Sequence, residues 1–247
     1  MIKYLKELNQ KFGYRPTWEP GKPLLLGDVG VLEKGVFSHR TTLDSLDIPI
    51  KIRKANTGSD IQYISEGGVD IQKKLSGEVP VAEMALSELD AGFSISFSKQ
   101  HAILFAAKNA RTSILSNMHD IEKEIFKLME NDEWKKEWVF ISELMQTDGA
   151  TILISVDQSS KFELKANADV SAGDLHIADA TLDFQTSVDK NMQFKIVAQK
   201  GVNPLYRASG VKKNWFSSGK LATKGLDEQE PPKDFIEQIP LSDSEFE

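Results

Sequence analysis

Apolar residues recur at Ile2, Leu5, Leu8 and Phe12, a helical spacing that predicts a short helix over 2–12, stopped by Gly13. Pro16, Pro20 and Pro23 with Trp18 make 15–23 an extended connection. Leu24-Leu25-Leu26 followed by Gly27-Asp28-Val29-Gly30 reads as a buried segment ending in a turn. Beyond it the period changes from helical to two. Residues 48–53 and 61–64 alternate, Gly67-Gly68 breaks the chain, and 69–75 follows. Phe93, Ile95 and Phe97 alternate with Gly92, Ser94, Ser96 and Ser98, and a short turn at 99–101 leads to Ile103 and Phe105, which together predict a hairpin.

Residues 117–130 carry the clearest amphipathic helix. Met118, Ile121, Ile125, Leu128 and Met129 form its stripe, Asn117 stands at the N-cap, and Asp120 and Glu122 suit the positive end of the helix dipole. Two further hairpins are expected, one from 139–144 to 151–156 and on to 162–166, and one joining 175–188 to 192–198 across 189–191. Strands and helices do not alternate strictly, so the expected class is α+β: a strand-rich, twisted, mainly antiparallel sheet with a few flanking helices. Residues 1–224 are expected to form a single α+β domain, with 225–247 as an acidic C-terminal tail.

The 247 residues are 40% hydrophobic and 27% charged, an ordinary globular composition. Cysteine is absent, which removes disulfides, thiolate metal sites and thiol nucleophiles. With neither a signal-peptide pattern near the start nor an apolar run long enough for a membrane helix, the expected location is the cytoplasm. The net charge of −7 is concentrated from Asp227 onward, where eight acids face a single base, Lys233. Residues 207–224 immediately before hold Arg207, Lys212, Lys213, Lys220 and Lys224 and no acid. Such a basic-then-acidic pattern suits an interaction segment or simply a solvated tail.

Catalytic motifs are missing. The turn at Gly27–Gly30 lacks the Gly-Lys-Ser/Thr of a phosphate loop, and neither a Gly-x-Ser-x-Gly elbow nor a dinucleotide fingerprint occurs. His39, His101, His119 and His176 share no metal-binding spacing, and His119-Asp120 at a helix start suits a cap or surface position better than a metal. The expectation is therefore a non-enzyme with no catalytic, cofactor or metal residues and no nucleic-acid partner; Lys51, Arg53 and Lys54 read as the wet side of a strand. Trp134 and Trp138 suit core packing more than a ligand cage. Trp215-Phe216, flanked by Lys212, Lys213 and Lys220, fits a membrane interface, a partner surface or the domain's own core.

Four stretches resemble bacterial gasdermins, a family of cytosolic pore formers. Tyr4-Leu5-Lys6-Glu7-Leu8 through Gly13-Tyr14 is similar to their opening element. Trp138-Val139-Phe140-Ile141-Ser142-Glu143 and Ala150-Thr151-Ile152-Leu153-Ile154-Ser155 are similar to late paired strands, and Gly201-Val202-Asn203-Pro204-Leu205 to a Gly-x-x-Pro-Leu segment near the end. The N-terminal acylated cysteine of that family has no counterpart here. The resemblance implies a C-terminal segment that holds the protein closed, an activating protease, membrane lipid as the later partner, and self-oligomers whose amphipathic hairpins line a pore. The residues it would use for membrane hairpins are Phe93, Ile95, Phe97, Ile103, Phe105, Ile152, Ile154, Phe162 and Leu164. The cleavage linker would lie at Lys220 and Lys224. The inhibitory tail would act through Phe235, Ile236, Ile239, Leu241 and Phe246. A binding module or adaptor whose acidic tail recruits a basic partner is the other reading, with an enzyme built from scattered residues the third. An inhibitory tail buries its apolar residues against the body, whereas a recruiting tail leaves them exposed.

Overall fold

The computed structural model describes residues 2–17, 23–78, 85–86, 90–167, 170, 174–212 and 235–242. The elements along the chain are α1 (Ile2–Phe12), β1 (Arg15–Pro16), β2 (Asp28–Glu33), β3 (Val36–Thr42), a 3-10 turn (Asp44–Leu46), β4 (Ile52–Lys54), β5 (Ser59–Ile64), β6 (Val69–Lys74), β7 (Gly92–Phe97) and β8 (Ile103–Leu115). They continue with α2 (Met118–Glu130), β9 (Val139–Gln146), β10 (Gly149–Ser155), β11 (Lys161–Lys165), β12 (Gln185–Lys190), β13 (Met192–Gln199), β14 (Leu205–Val211) and β15 (Ile236–Gln238). Pairing is antiparallel in every ladder described, and the class is α+β. By contacts the chain divides into two compact units. The first holds 1–56, 112–145 and 205–247; the second holds 57–111 and 146–204, so the 225–247 segment groups with the first.

In the first unit α1 buries Tyr4, Leu5 and Leu8. It ends where Gly13, at φ +69, returns its N–H to Asn9 O at 2.7 Å, a left-handed closure that glycine adopts without strain. Helix α2 buries Ile121, Ile125, Phe126 and Met129. It closes in a Schellman motif: Glu133 N–H reaches Leu128 O, Asp132 N–H reaches Met129 O, and Asp132 sits at φ +60. Asn117 holds the N-cap position, but its side chain does not cap the helix. Its Oδ1 accepts from Lys51 N–H at 2.7 Å and its Nδ2 donates to Pro49 O at 2.9 Å. The side chain thus ties the start of α2 to the chain entering β4, 66 and 68 positions away in sequence. Trp134 packs edge-on to Trp138 and Phe140 in the core around α2.

The expected turn over 27–30 moves to Leu26–Gly27, where Gly27 has φ +84 and Asp28 Oδ2 accepts from Leu25 N–H at 2.8 Å; Asp28, Val29 and Gly30 open β2 instead, paired with β3. Leu24 is buried but Leu25 is 60% exposed, so that apolar run is only partly internal. The expected strand over 48–53 shrinks to 52–54, all exposed, paired with 113–115 of β8.

The second unit corrects the hairpin expectations. β7 pairs with β6 and β11, whereas β8 pairs with β5 and β10 within this unit. β10 pairs with β13, β11 with β12, and β9 with β14 and β2. Within this unit the sheets run β5-β8-β10-β13 and β6-β7-β11-β12. Each successive pair, β5–β6, β7–β8, β10–β11 and β12–β13, therefore arches from one sheet to the other. The physical reason is that both faces are apolar or covered. Ile103 to Ala107 are all at most 1% exposed, a pattern of strands buried on two sides. Ser94, on the small polar face of the β7 alternation, is buried and donates to the fully buried Glu163 at 3.2 Å.

Serines seal the arches. Ser65 Oγ accepts from Ile103 N–H at 3.0 Å, and Ser155 Oγ accepts from Ala102 N–H at 2.9 Å while donating to Lys99 O at 2.8 Å. Ser160 Oγ donates to Asn191 O at 2.7 Å. Each hydroxyl thus serves a backbone group left free where the chain leaves its ladder.

Candidate functional site

The C-terminal segment is built into the first unit. β14 gives one edge to β9 along 205–210. Its other edge is shared: β1 pairs with Leu205 and Tyr206, and β15 pairs with Ser209, Gly210 and Val211. Ile239 N–H donates to Ala208 O at 2.9 Å and Lys212 N–H to Phe235 O at 3.2 Å, which extends the ladder past both ends of β15.

Side chains add to this backbone pairing. Phe235 is 1% exposed and meets the Phe126 ring of α2 edge-on at 5.4 Å between centroids. Burying such a ring contributes about 1.5–3 kcal/mol. Ile236 packs against the same core, and Ile239 against the cluster of Leu24, Val139, Ile141 and Tyr206. Gly210 lies closest to the β9 side: a Cβ there would stand 3.2 Å from Val139 Cγ1 and 3.3 Å from Trp138 O, and in ordinary contact, 3.5 Å, with Ile239 Cδ1. Leu241 is half-buried. A cavity of about 270 Å³ lies beside the segment, lined by Met118, Glu122, Ser142, Glu143, Ser209 and Ile236 among others.

The N-terminal strap holds the segment from the other side. Arg15, only 2% exposed, donates from Nε to Ile239 O at 3.1 Å and from Nη2 to Pro240 O at 2.6 Å. Bonds from a charged donor are the strong ones, and a buried guanidinium requires them. Arg207 of β14 fixes the strap itself. It donates to Gly13 O at 3.1 Å and to Glu143 Oε2 at 3.0 Å, and its guanidinium lies 4.1 Å over the Tyr14 ring. Tyr14 Oη also donates to Glu143 Oε2, at 3.0 Å. Burial, then the Glu143 carboxylate, raise the Tyr14 phenol above its ordinary value.

Of the tail residues expected from sequence, Phe235, Ile236, Ile239 and Leu241 are therefore placed in one docked segment, and Phe246 lies outside the described residues. Lys220 and Lys224 and the Trp215-Phe216 pair also lie outside them. The nine expected membrane-hairpin residues are all in the second unit and all buried. Phe93, Ile95, Phe97, Phe162 and Leu164 fill the core between its two sheets. Ile103, Phe105, Ile152 and Ile154 are paired across β8 and β10 and are buried too. They do not form the two hairpins expected, because each β-pair is split between sheets.

The histidines do not converge. His39 is 3.8 Å from Asp28, His176 is 3.6 Å from Asp60, and His101 bonds Gln193. Among the described residues there is no cluster of three potential metal ligands and no helix long and apolar enough to cross a membrane. No family model matches the sequence, and no curated protein does either. Sequence reasoning missed Arg15 and Gly210, which nothing but the fold brings to the segment. It also missed Phe126, which lies at the edge of the α2 apolar stripe, three positions before Met129, and is buried with it.

Proposed function

We propose that the chain is an autoinhibited pore-forming protein, held closed by residues 235–242 and activated when a protease severs the connection 213–234. The docked segment carries this reading. A tail that serves to recruit a basic partner gains nothing from burying Phe235 or from a buried arginine reading its carbonyls, whereas a restraint needs both. The likeness to bacterial gasdermins in 1–220 and the acidic charge removed with the tail point the same way, since losing that charge eases approach to anionic lipid.

The strands that would enter the membrane are those of the second unit. β8 (Ile103–Leu115) contributes 103–111 to this unit, nine residues, within the 9–11 that a tilted transmembrane strand needs. β7 and β8 are joined directly, as are β10 and β11, but the sandwich holds the members of each pair in opposite sheets. Insertion requires these arches to open and re-pair as hairpins, with self-association supplying the partner edges. An open strand edge is not tolerated in lipid.

The test is dye release from anionic liposomes by the full chain before and after cleavage following Lys224. Release only after cleavage supports the reading. Absence of release from a cut, folded chain freed of its tail overturns it for those lipids.

A further inference from the structure

β14 and β15 are antiparallel neighbours joined by a long tether. Val211 and Ile236 are register partners, yet the whole stretch 213–234 lies between the two strands. Two residues suffice to join antiparallel neighbours. Four features read the segment. The β14 edge pairs its backbone over 209–211. The ring of Phe126 receives Phe235. The cluster of Leu24, Val139, Ile141 and Tyr206 receives Ile239. Arg15 binds the carbonyls of Ile239 and Pro240.

We propose that this edge of β14 is a strand-acceptor site for an extended peptide of the form Phe-Ile-x-x-Ile-Pro, and that the 235–242 segment of a second copy of the chain fills it in trans. Strand addition of this kind takes affinity from main-chain bonds and specificity from pockets for particular side chains. In the intact chain the tether holds the segment at an effective concentration of order mM, which masks exchange. Cutting the tether, or weakening the resident Phe235, uncovers the site. The inference stands apart from any membrane step.

The probe is a fluorescein-labelled peptide with the sequence of residues 234–243, titrated by anisotropy against the full chain carrying Phe235→Ala. Saturable binding is expected, at least tenfold tighter than to the unaltered chain. A peptide with alanine in place of Phe235 should bind at least tenfold more weakly. If the Phe235→Ala chain is unfolded by circular dichroism, the same peptide is exchanged into the unaltered chain cut within 213–234. The second-copy claim is read by mixing the Phe235→Ala chain, which keeps its acceptor, with an Arg15→Ala chain, which keeps its tail; a heterodimer should sediment. No saturable binding to either folded form overturns the proposal, as does equal binding of the alanine peptide. Failure of the folded variants to pair where the peptide saturates its site overturns filling in trans.

Discussion

Arg15 and Pro240 stand 225 positions apart in sequence, yet the Arg15 Nη2 donates to the Pro240 carbonyl at 2.6 Å. With the bond to Ile239 O, this makes one buried cation the link between the N-terminal strap and the C-terminal segment. Arg15→Ala leaves two carbonyls without these donors, and bonds to charged groups contribute about 1.5–3 kcal/mol each. Limited proteolysis with chymotrypsin should cut at Phe235 at least tenfold faster in this variant. An unchanged rate would show that the guanidinium does not hold the segment.

Phe126→Ala removes the ring that receives Phe235 and opens a cavity in the core around α2. Such truncations cost about 3–5 kcal/mol. Chemical denaturation should show a loss in that range. Hydrogen exchange at Ile239 N–H and Lys212 N–H, whose bonds extend the β14–β15 ladder, should accelerate more than exchange in the second unit.

The helices and most strand positions are legible in the sequence, because α1 and α2 carry clean apolar stripes and a Gly or Schellman stop. The pairing is not. Phe93-x-Ile95-x-Phe97 alternates as a hairpin arm does, but Ser94 faces a buried Glu163 and not water, which a pattern of residue types cannot reveal. The apolar tail residues can be named from sequence; the arginine that grips them cannot, because it lies 224 positions from its first acceptor.

The strap should respond to alkali. The Tyr14 phenol is raised in the folded state by burial, then by Glu143, with Arg207 opposing. A raised folded value means its contribution is full below the unfolded value of about 10 and is lost as pH rises through the folded value. Chymotryptic release of the segment should therefore increase above about pH 10 relative to a Tyr14→Phe chain. Equal profiles would separate Tyr14 from the strap's hold.

The absence of cysteine allows β7 to be locked into its sheet by an engineered disulfide. Asp70 and Ser96 are exposed register partners on β6 and β7, at a spacing a disulfide can bridge. Asp70→Cys with Ser96→Cys, oxidised, should leave folding and tail cleavage unchanged but abolish dye release by the cut chain, and reduction should restore it. Full release while oxidised would mean β7 never leaves its sheet.

The most direct measurement compares dye release from anionic liposomes by the full chain, by the chain cut after Lys224, and by the cut chain with excess peptide of residues 234–243. Release by the cut chain alone, suppressed by the peptide, is the expected result. No release from the cut chain, with circular dichroism showing it folded and the segment shown to be displaced, would contradict a pore held shut by its C-terminal strand.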